Sequence, residues 1–526
     1  MRSPLKDDLS QRVIAKALRE LGANYERARL VRRASTPTPT SDRPSLLWRG
    51  ENAVLGRVPR WANRVFLEEV TERSRRPIGF ANLRPLHRLS APLAYGTSPN
   101  ELPATAEAFL SPPEYMKPPL YRVYAADHYE ELYGELAEEK VTCFAMPYRL
   151  MGGVCAHAAI YMSLVMAARF GFRVPAVHEM SYAIAQNTPE DLAELNRSGV
   201  FAVRPLGLVE LQDLVRTPYV GGEALLESHE AVGASKDAFL GELIHQYLLQ
   251  GLPAILVIHY DELYAERWWP RVQHKARHVL SRLFPGAWAT AVEETKDCRN
   301  HAVVLVGIGY KGQDVPRQDD VEEFIFHDPN HGPYLRRPVG HMVKAARMLE
   351  AYSGQLAFLV LVPRGVTRRI SNLVTAYVNL CGRSHGHKTR RPFDNLLERN
   401  DPTLGECNSQ YRLLRRGALQ KTYFSYLPSN RSLRQQLDNV ERAFDWIWAV
   451  ERYVTLESFR QRKPTAVWFF DAANTAERIG LWQQLHIAEG LFAMWRHKAF
   501  LCYVEGPPGE GIRVEGLRGQ EGGILA

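Results

Sequence analysis

Cysteine is scarce in this chain, six in 526 residues at positions 143, 155, 298, 381, 407 and 502, and no two of them form a CxxC pair. That scatter excludes a secreted disulfide framework and a zinc ribbon, and it fits a reducing compartment. The first thirty residues contain acidic side chains and no apolar core segment, so they do not read as a secretory signal. No run of eighteen apolar residues occurs, which leaves no transmembrane candidate and no membrane partner. Internal repeats and an ATP-binding segment are also missing. The expectation is a soluble cytoplasmic protein with no cofactor and no resident metal.

What is present is ordinary globular composition, 45% hydrophobic and 24% charged, long enough for about three folding units. The net charge of +8 is uneven: residues 1 to 60 hold 13 Lys and Arg against 6 Asp and Glu, nearly the whole excess. A second basic stretch runs from Arg364 through Arg368, Arg369, Arg383, Lys388 and Arg390 to Arg391. Either could dock an acidic partner or be a solvated face. No aromatic ladder accompanies them, and no nucleic-acid partner is assigned.

Residues 10 to 33 have helical composition, and Ala34 to Ser41, with Pro37 and Pro39 among small polar residues, reads as a linker. Residues 45 to 110 are interrupted by Pro77, Pro85, Pro92, Pro99 and Pro103 and read as an irregular lead-in. From Pro112 to Pro363 helices alternate with apolar strands, at 251–258, 301–308, 323–326 and 356–362. Beyond it, 434–454 and 480–496 read as amphipathic helices and 466–470 and 500–504 as strands. The organisation expected is a basic N-terminal arm and lead-in (1–110), a central domain (111–365) and a smaller C-terminal α/β accessory domain (366–526).

The most informative segment is Met151-Gly152-Gly153-Val154-Cys155-Ala156-His157, which opens a stretch without Pro or Gly as far as Phe170, with Gly171 placed to cap it. Cys155 is thus expected at a helix N-terminus, where exposed amides and the helix dipole favour a thiolate, the nucleophilic form. The helix is apolar nearly all round, as a buried central helix would be. A lone cysteine there reads more readily as packing than as a nucleophile. Two downstream segments raise the chemical reading. His301 opens the apolar strand His301 to Ile308, which runs into a glycine turn at Gly307 and Gly309, and Asp328 ends the strand Phe324 to His327 at an Asp-Pro break. His301 lies 146 residues after Cys155, and Asp328 another 27 on. A cysteine with a histidine about 130–150 residues downstream and Asp or Asn beyond it is the order of a papain-like peptidase.

The runs GGVCAHAA, GLPAILVIHY, HAVVLVGIGY and HDPNHGPY resemble papain-fold cysteine peptidases, most of all the bacteriocin-leader-processing (double-glycine) peptidase group, over residues 140 to 360. The cysteine helix is also similar to that of transglutaminase-like proteins, whose Cys–His separation is usually much shorter. The resemblance implies an α+β domain with a cysteine-bearing buried helix packed on an antiparallel sheet. It implies that Cys155 attacks an amide or thioester carbonyl of a protein or peptide, His301 takes the thiol proton, and Asp328 orients the imidazole. Asn330 competes with Asp328 for the orienting role. The family carries a glutamine just before the cysteine as an oxyanion donor. Here the only glutamine before Cys155 is Gln11, so Tyr148 or Arg149 stands in its place.

Other candidates are weaker. Cys143 lacks the glycine pair and is followed by Pro147. His157, His178, His327 and His331 with Cys143, Cys155 or Cys298 offer zinc-ligand types, but Asp328-Pro329 breaks the helix that His327 and His331 would need to converge. Trp268 and Trp269 line a groove or pack in a core. Amine-resolved acyl transfer and a catalytically inactive binding module are the alternative functions.

Overall fold

The computed structural model describes residues 28–37, 61–70, 75–83, 105–116, 120–124, 127–128, 131–132, 135–136, 141–144, 155–175, 183, 193, 206–228, 236–264, 300–311, 321–353, 356–371, 373, 409–423, 445–452, 466–473, 483–487 and 490–494. Its contacts divide the chain into two compact units, residues 1–229, 251–311 and 321–363 in one and 230–250, 312–320 and 364–526 in the other. The protein is α+β: every strand pair among the described residues is antiparallel. Among the described residues no helix is long and apolar enough to cross a membrane.

Among the described residues the first unit holds two large sheets and the small pair Glu131–Leu132 with Glu135–Leu136. One runs in the order Ala28–Pro37, Trp61–Val70, Arg75–Leu83, Thr105–Leu110, Val141–Phe144 and Asp127–His128. Two expectations fail here. Ala28–Pro37, read as the end of a helix and the start of a linker, is an edge strand, a position that tolerates Pro37 because no further neighbour asks for its missing amide hydrogen. The lead-in at 45–110 contains three strands. Its prolines fall mostly between them, and Pro77 sits beside the register shift at Leu67/Glu68.

The second sheet runs Glu223–Ser228, Ala357–Val362, Ala254–His259, Asn300–Tyr310, Val321–Asp328, Gly332–Pro338. Both alternations of Ala357–Val362 are buried, which is why such strands read as unbroken apolar runs. The helix Cys155–Ala167 packs on this sheet, chiefly on Asn300–Tyr310. Ala156, Ala159, Ile160, Ile255, Val304 and Leu359 share one core. Helix Val339–Ser353 packs on Ala254–His259, Val321–Asp328 and Gly332–Pro338.

Asn300–Tyr310 does not end in a glycine turn. It continues through Gly307 and Gly309, which pair with Val123 and Tyr121 of the short strand Tyr121–Val123. A Cβ on Gly307 would sit 2.5 Å from the Arg122 carbonyl oxygen, so the close approach of that strand demands glycine.

The second unit contains the sheet Ser409–Arg415, Trp446–Arg452, Ala466–Asp471 and the hairpin Gln483–Ile487 with Gly490–Met494. In the described parts of 434–454 and 480–496, the segments expected as helices, Trp446–Arg452 and the hairpin are strands. The β-branched and aromatic residues Trp446, Ile447, Trp448 and Val450 favour a pleated strand with partners on both sides, and tertiary pairing overrides the apparent helical period. The strand expected at 466–470 is there, and 500–504 lies outside the described residues. Helix Lys236–Leu249 belongs to this unit. The Gln246 side-chain oxygen accepts the Tyr411 amide hydrogen at 3.2 Å and Tyr247 packs edge-on against Trp448.

Candidate active site

Cys155 is the first residue of the helix Cys155–Ala167. Nine of the thirteen residues are buried, around most of its circumference, so the helix is anchored by packing and its first turn is held in a fixed place. The 3-10 turn Ala168–Phe170 ends it at Gly171, whose φ of 90° is left-handed, as the position of that glycine suggested. The thiol is half-buried and unpaired by any disulfide.

The histidine and the aspartate arrive by strand register. Val304 pairs with His327. One step along, alternation places Asp328 and Val303 on the opposite face of the sheet, and His301, two residues before Val303, shares it. The diagonal contact closes: His301 Nε2 lies 2.9 Å from Asp328 Oδ2, with His301 3% exposed and Asp328 fully buried. Cys155 lies close enough to His301 for the imidazole to act on the thiol by charge and hydrogen-bonding capacity. The cysteine, histidine and aspartate singled out by spacing therefore meet in space.

Asp328 is saturated with donors. Its Oδ1 accepts the backbone amides of Asn330 at 2.6 Å and His331 at 3.2 Å, and its Oδ2 accepts His301 and the Tyr264 hydroxyl. Asn330 thus contributes its main chain to holding Asp328, and it is Asp328 that reaches the imidazole. Burial alone would push the carboxyl up, but the charge and hydrogen bond of His301, helped by His331 and Tyr264, bring it down to about 2. Burial likewise opposes a charged His301, and the Asp328 carboxylate and Cys155 overcome it, raising the imidazole to about 10. Burial raises the Cys155 thiol. The His301 hydrogen bond and charge, then the backbone N–H groups of Ala302 and Ala156, more than reverse this and leave it below its ordinary value. All three directions favour a thiolate–imidazolium pair backed by a carboxylate.

Sequence reasoning missed the aromatic wall of this site. Ile258 pairs with His301 and His259 with Asn300, so the short helix Tyr260–Leu263 that follows starts beside the imidazole. The Tyr260 ring meets His301 edge-on, centroids 5.3 Å apart, and its hydroxyl lies 2.6 Å from His331 Nε2. Tyr264 stacks at a tilt on His331 at 4.2 Å. The signal was two tyrosines four apart, Tyr260 closing the run GLPAILVIHY and Tyr264 just beyond it, and it becomes readable only once that strand is known to pair with the histidine strand.

The remaining candidates fall elsewhere. Tyr148, Arg149, Gly152, Gly153, His178, Trp268, Trp269 and Cys298 lie outside the described residues. Cys143 is in the strand Val141–Phe144 of the first sheet. His327 packs edge-on against Tyr334, whereas His331 belongs to the tyrosine wall, so the two do not converge on one point. Among the described residues no group of three His, Cys, Asp or Glu could hold a metal ion. The chain matches no protein-family model and no curated protein.

Proposed function

We propose that the protein is a cysteine peptidase or amidase of papain-like design, acting on a protein or peptide in a reducing compartment such as the cytoplasm. One observation carries this reading: a thiol at the first turn of a buried helix, close enough to an imidazole to be lowered by it, with that imidazole bound at 2.9 Å to a fully buried carboxylate. That arrangement serves acyl transfer.

With Nε2 directed at Asp328, Nδ1 of His301 is left for the sulfur. The Cys155 thiolate attacks the scissile carbonyl carbon, forming the C–S bond and moving the carbonyl π pair to oxygen. The Cys155 backbone amide, at the helix start with no intrahelical acceptor, donates to that oxygen, a contribution of about 3 kcal/mol to the barrier in comparable sites. The tetrahedral species collapses, and the departing amine takes the proton from His301. Water then attacks the thioester as His301 accepts one of its protons, and the acid leaves with the thiolate restored. Asp328 stays ionised throughout and holds the tautomer and ring orientation.

The test is cleavage of a mixed fluorogenic peptide library by wild type and Cys155→Ala, alongside mass-spectrometric mapping of iodoacetamide at neutral pH. Cleavage that disappears in Cys155→Ala, with alkylation concentrated on Cys155, supports the reading. Cleavage undiminished in Cys155→Ala overturns it.

A further inference from the structure

Asp328 Oδ2 has two donors where orientation needs one. Oδ1 is already fixed by the Asn330 and His331 amides, so the carboxylate plane is set without Tyr264. Yet Tyr264, 5% exposed and held by its own backbone hydrogen bond to the Tyr260 carbonyl at 3.2 Å, drives its hydroxyl onto the oxygen that His301 uses. The charged Asp328 beside it keeps the phenol protonated far beyond its ordinary range, after burial has done the larger part, so it is a permanent donor.

We propose that Tyr264 is a positioning residue that shares Asp328 Oδ2 with His301 and thereby limits how tightly the carboxylate holds the imidazolium, so that His301 can release its proton to the departing amine. This rests on the peptidase reading above and deepens it. The physical reason is competition: a hydroxyl dipole aimed at a carboxylate oxygen drains negative potential from the lone pairs facing the second donor. In a buried site little solvent screens that effect.

Among the described residues the other groups around the phenol are few. Arg337, on the strand Gly332–Pro338, places its guanidinium 5.5 Å from the Tyr264 ring centre. His331 and Tyr260 complete the wall, and Glu262 on the same short helix is paired with Lys344. None of these donates to Oδ2, so removing the Tyr264 hydroxyl changes one hydrogen bond at the oxygen that matters.

The experiment follows Cys155 thiolate formation by its absorbance near 240 nm and by iodoacetamide alkylation against pH, in wild type, Tyr264→Phe and a protein carrying 3-fluorotyrosine at position 264. The carboxylate of Tyr264→Phe pulls harder on His301, so the acid limb of thiolate formation moves to lower pH and peptide turnover falls several-fold at unchanged KM. The fluorinated phenol is a stronger donor that keeps the native shape, and it moves the limb to higher pH. Should Tyr264→Phe fail to fold, the fluorotyrosine shift decides alone. An acid limb that stays put in the substituted proteins, or moves opposite to these directions, overturns the proposal. A wild-type thiol that titrates as an ordinary cysteine overturns the peptidase reading instead, so the two failures are distinguishable.

Discussion

The two ends of the strand Asn300–Tyr310 share one backbone and differ in what surrounds them. At the first end the buried imidazole of His301 meets a buried carboxylate and a thiol. At the far end Gly307 and Gly309 admit the strand Tyr121–Val123 at close range, and the Tyr124 and Tyr310 hydroxyls meet at 2.5 Å. At the first end partner charges outweigh the cost of burial, and the second holds the strand in place by backbone fit. A strand fixed at one end can aim a side chain at the other to within the tolerance that acyl transfer needs.

The sharpest break of this comparison is Asp328→Asn. It keeps the side-chain volume and removes the charge that sustains the imidazolium, and peptide hydrolysis should fall by about 10^4-fold. The acid limb of Cys155 alkylation should rise toward that of an ordinary thiol. A variant that hydrolyses peptides like wild type contradicts the role given to the carboxylate.

Next in size is the pH dependence of folding, read from urea unfolding. His301, lifted from 6.5 to about 10, contributes stability that is complete below pH 6.5 and is lost as pH rises to about 10. Cys155, lowered from 9.0, contributes stability that is complete above 9.0 and is lost as pH falls through its depressed value. Above both 6.5 and the depressed Cys155 value, and below 9.0, the two cancel, because folded and unfolded chains bind the same number of protons at this pair. In Cys155→Ala the His301 decline stands alone, so within that window stability should fall with pH by about 1.4 kcal/mol per unit more steeply than in wild type. Parallel stability curves for the two proteins argue against the pair.

At the far end Gly307→Ala should cost about 1–3 kcal/mol in unfolding free energy, since the new methyl meets backbone that cannot rotate away. Its alkylation profile should match wild type. A shift in that profile as large as that of Asp328→Asn would erase the distinction between the two ends. The smallest effect belongs to Tyr260→Phe, which removes the hydroxyl bound to His331 Nε2 at a cost of about 1 kcal/mol and leaves the Asp328 donors in place. Denaturant titration beside the alkylation profile measures both quantities.

The site was legible where chemistry is written in spacing. Cys155 after two glycines and before an unbroken apolar helix, His301 at the head of an apolar run and Asp328 before proline each carry a local signal, and the four apolar runs of the second sheet appear as strands. Tyr260 and Tyr264 carry none, because their role depends on Ile258 pairing with His301 across 43 residues of chain. Ala28–Pro37 and Trp446–Arg452 were misread for a related reason. A strand with mixed composition declares itself through its neighbours, and the pairings Pro37↔Trp61 and Val450↔Trp468 are long-range facts. Gly307 shows the same limit, since glycine signals a turn locally and a close backbone approach only in three dimensions.

The most direct measurement is the pH profile of Cys155 alkylation in wild type and in His301→Ala. A thiolate held by an imidazolium gives a wild-type limb well below the ordinary thiol range, displaced upward when His301 is removed. Profiles that coincide near the ordinary value of about 8.5 would mean that the sulfur and the imidazole do not act as a pair.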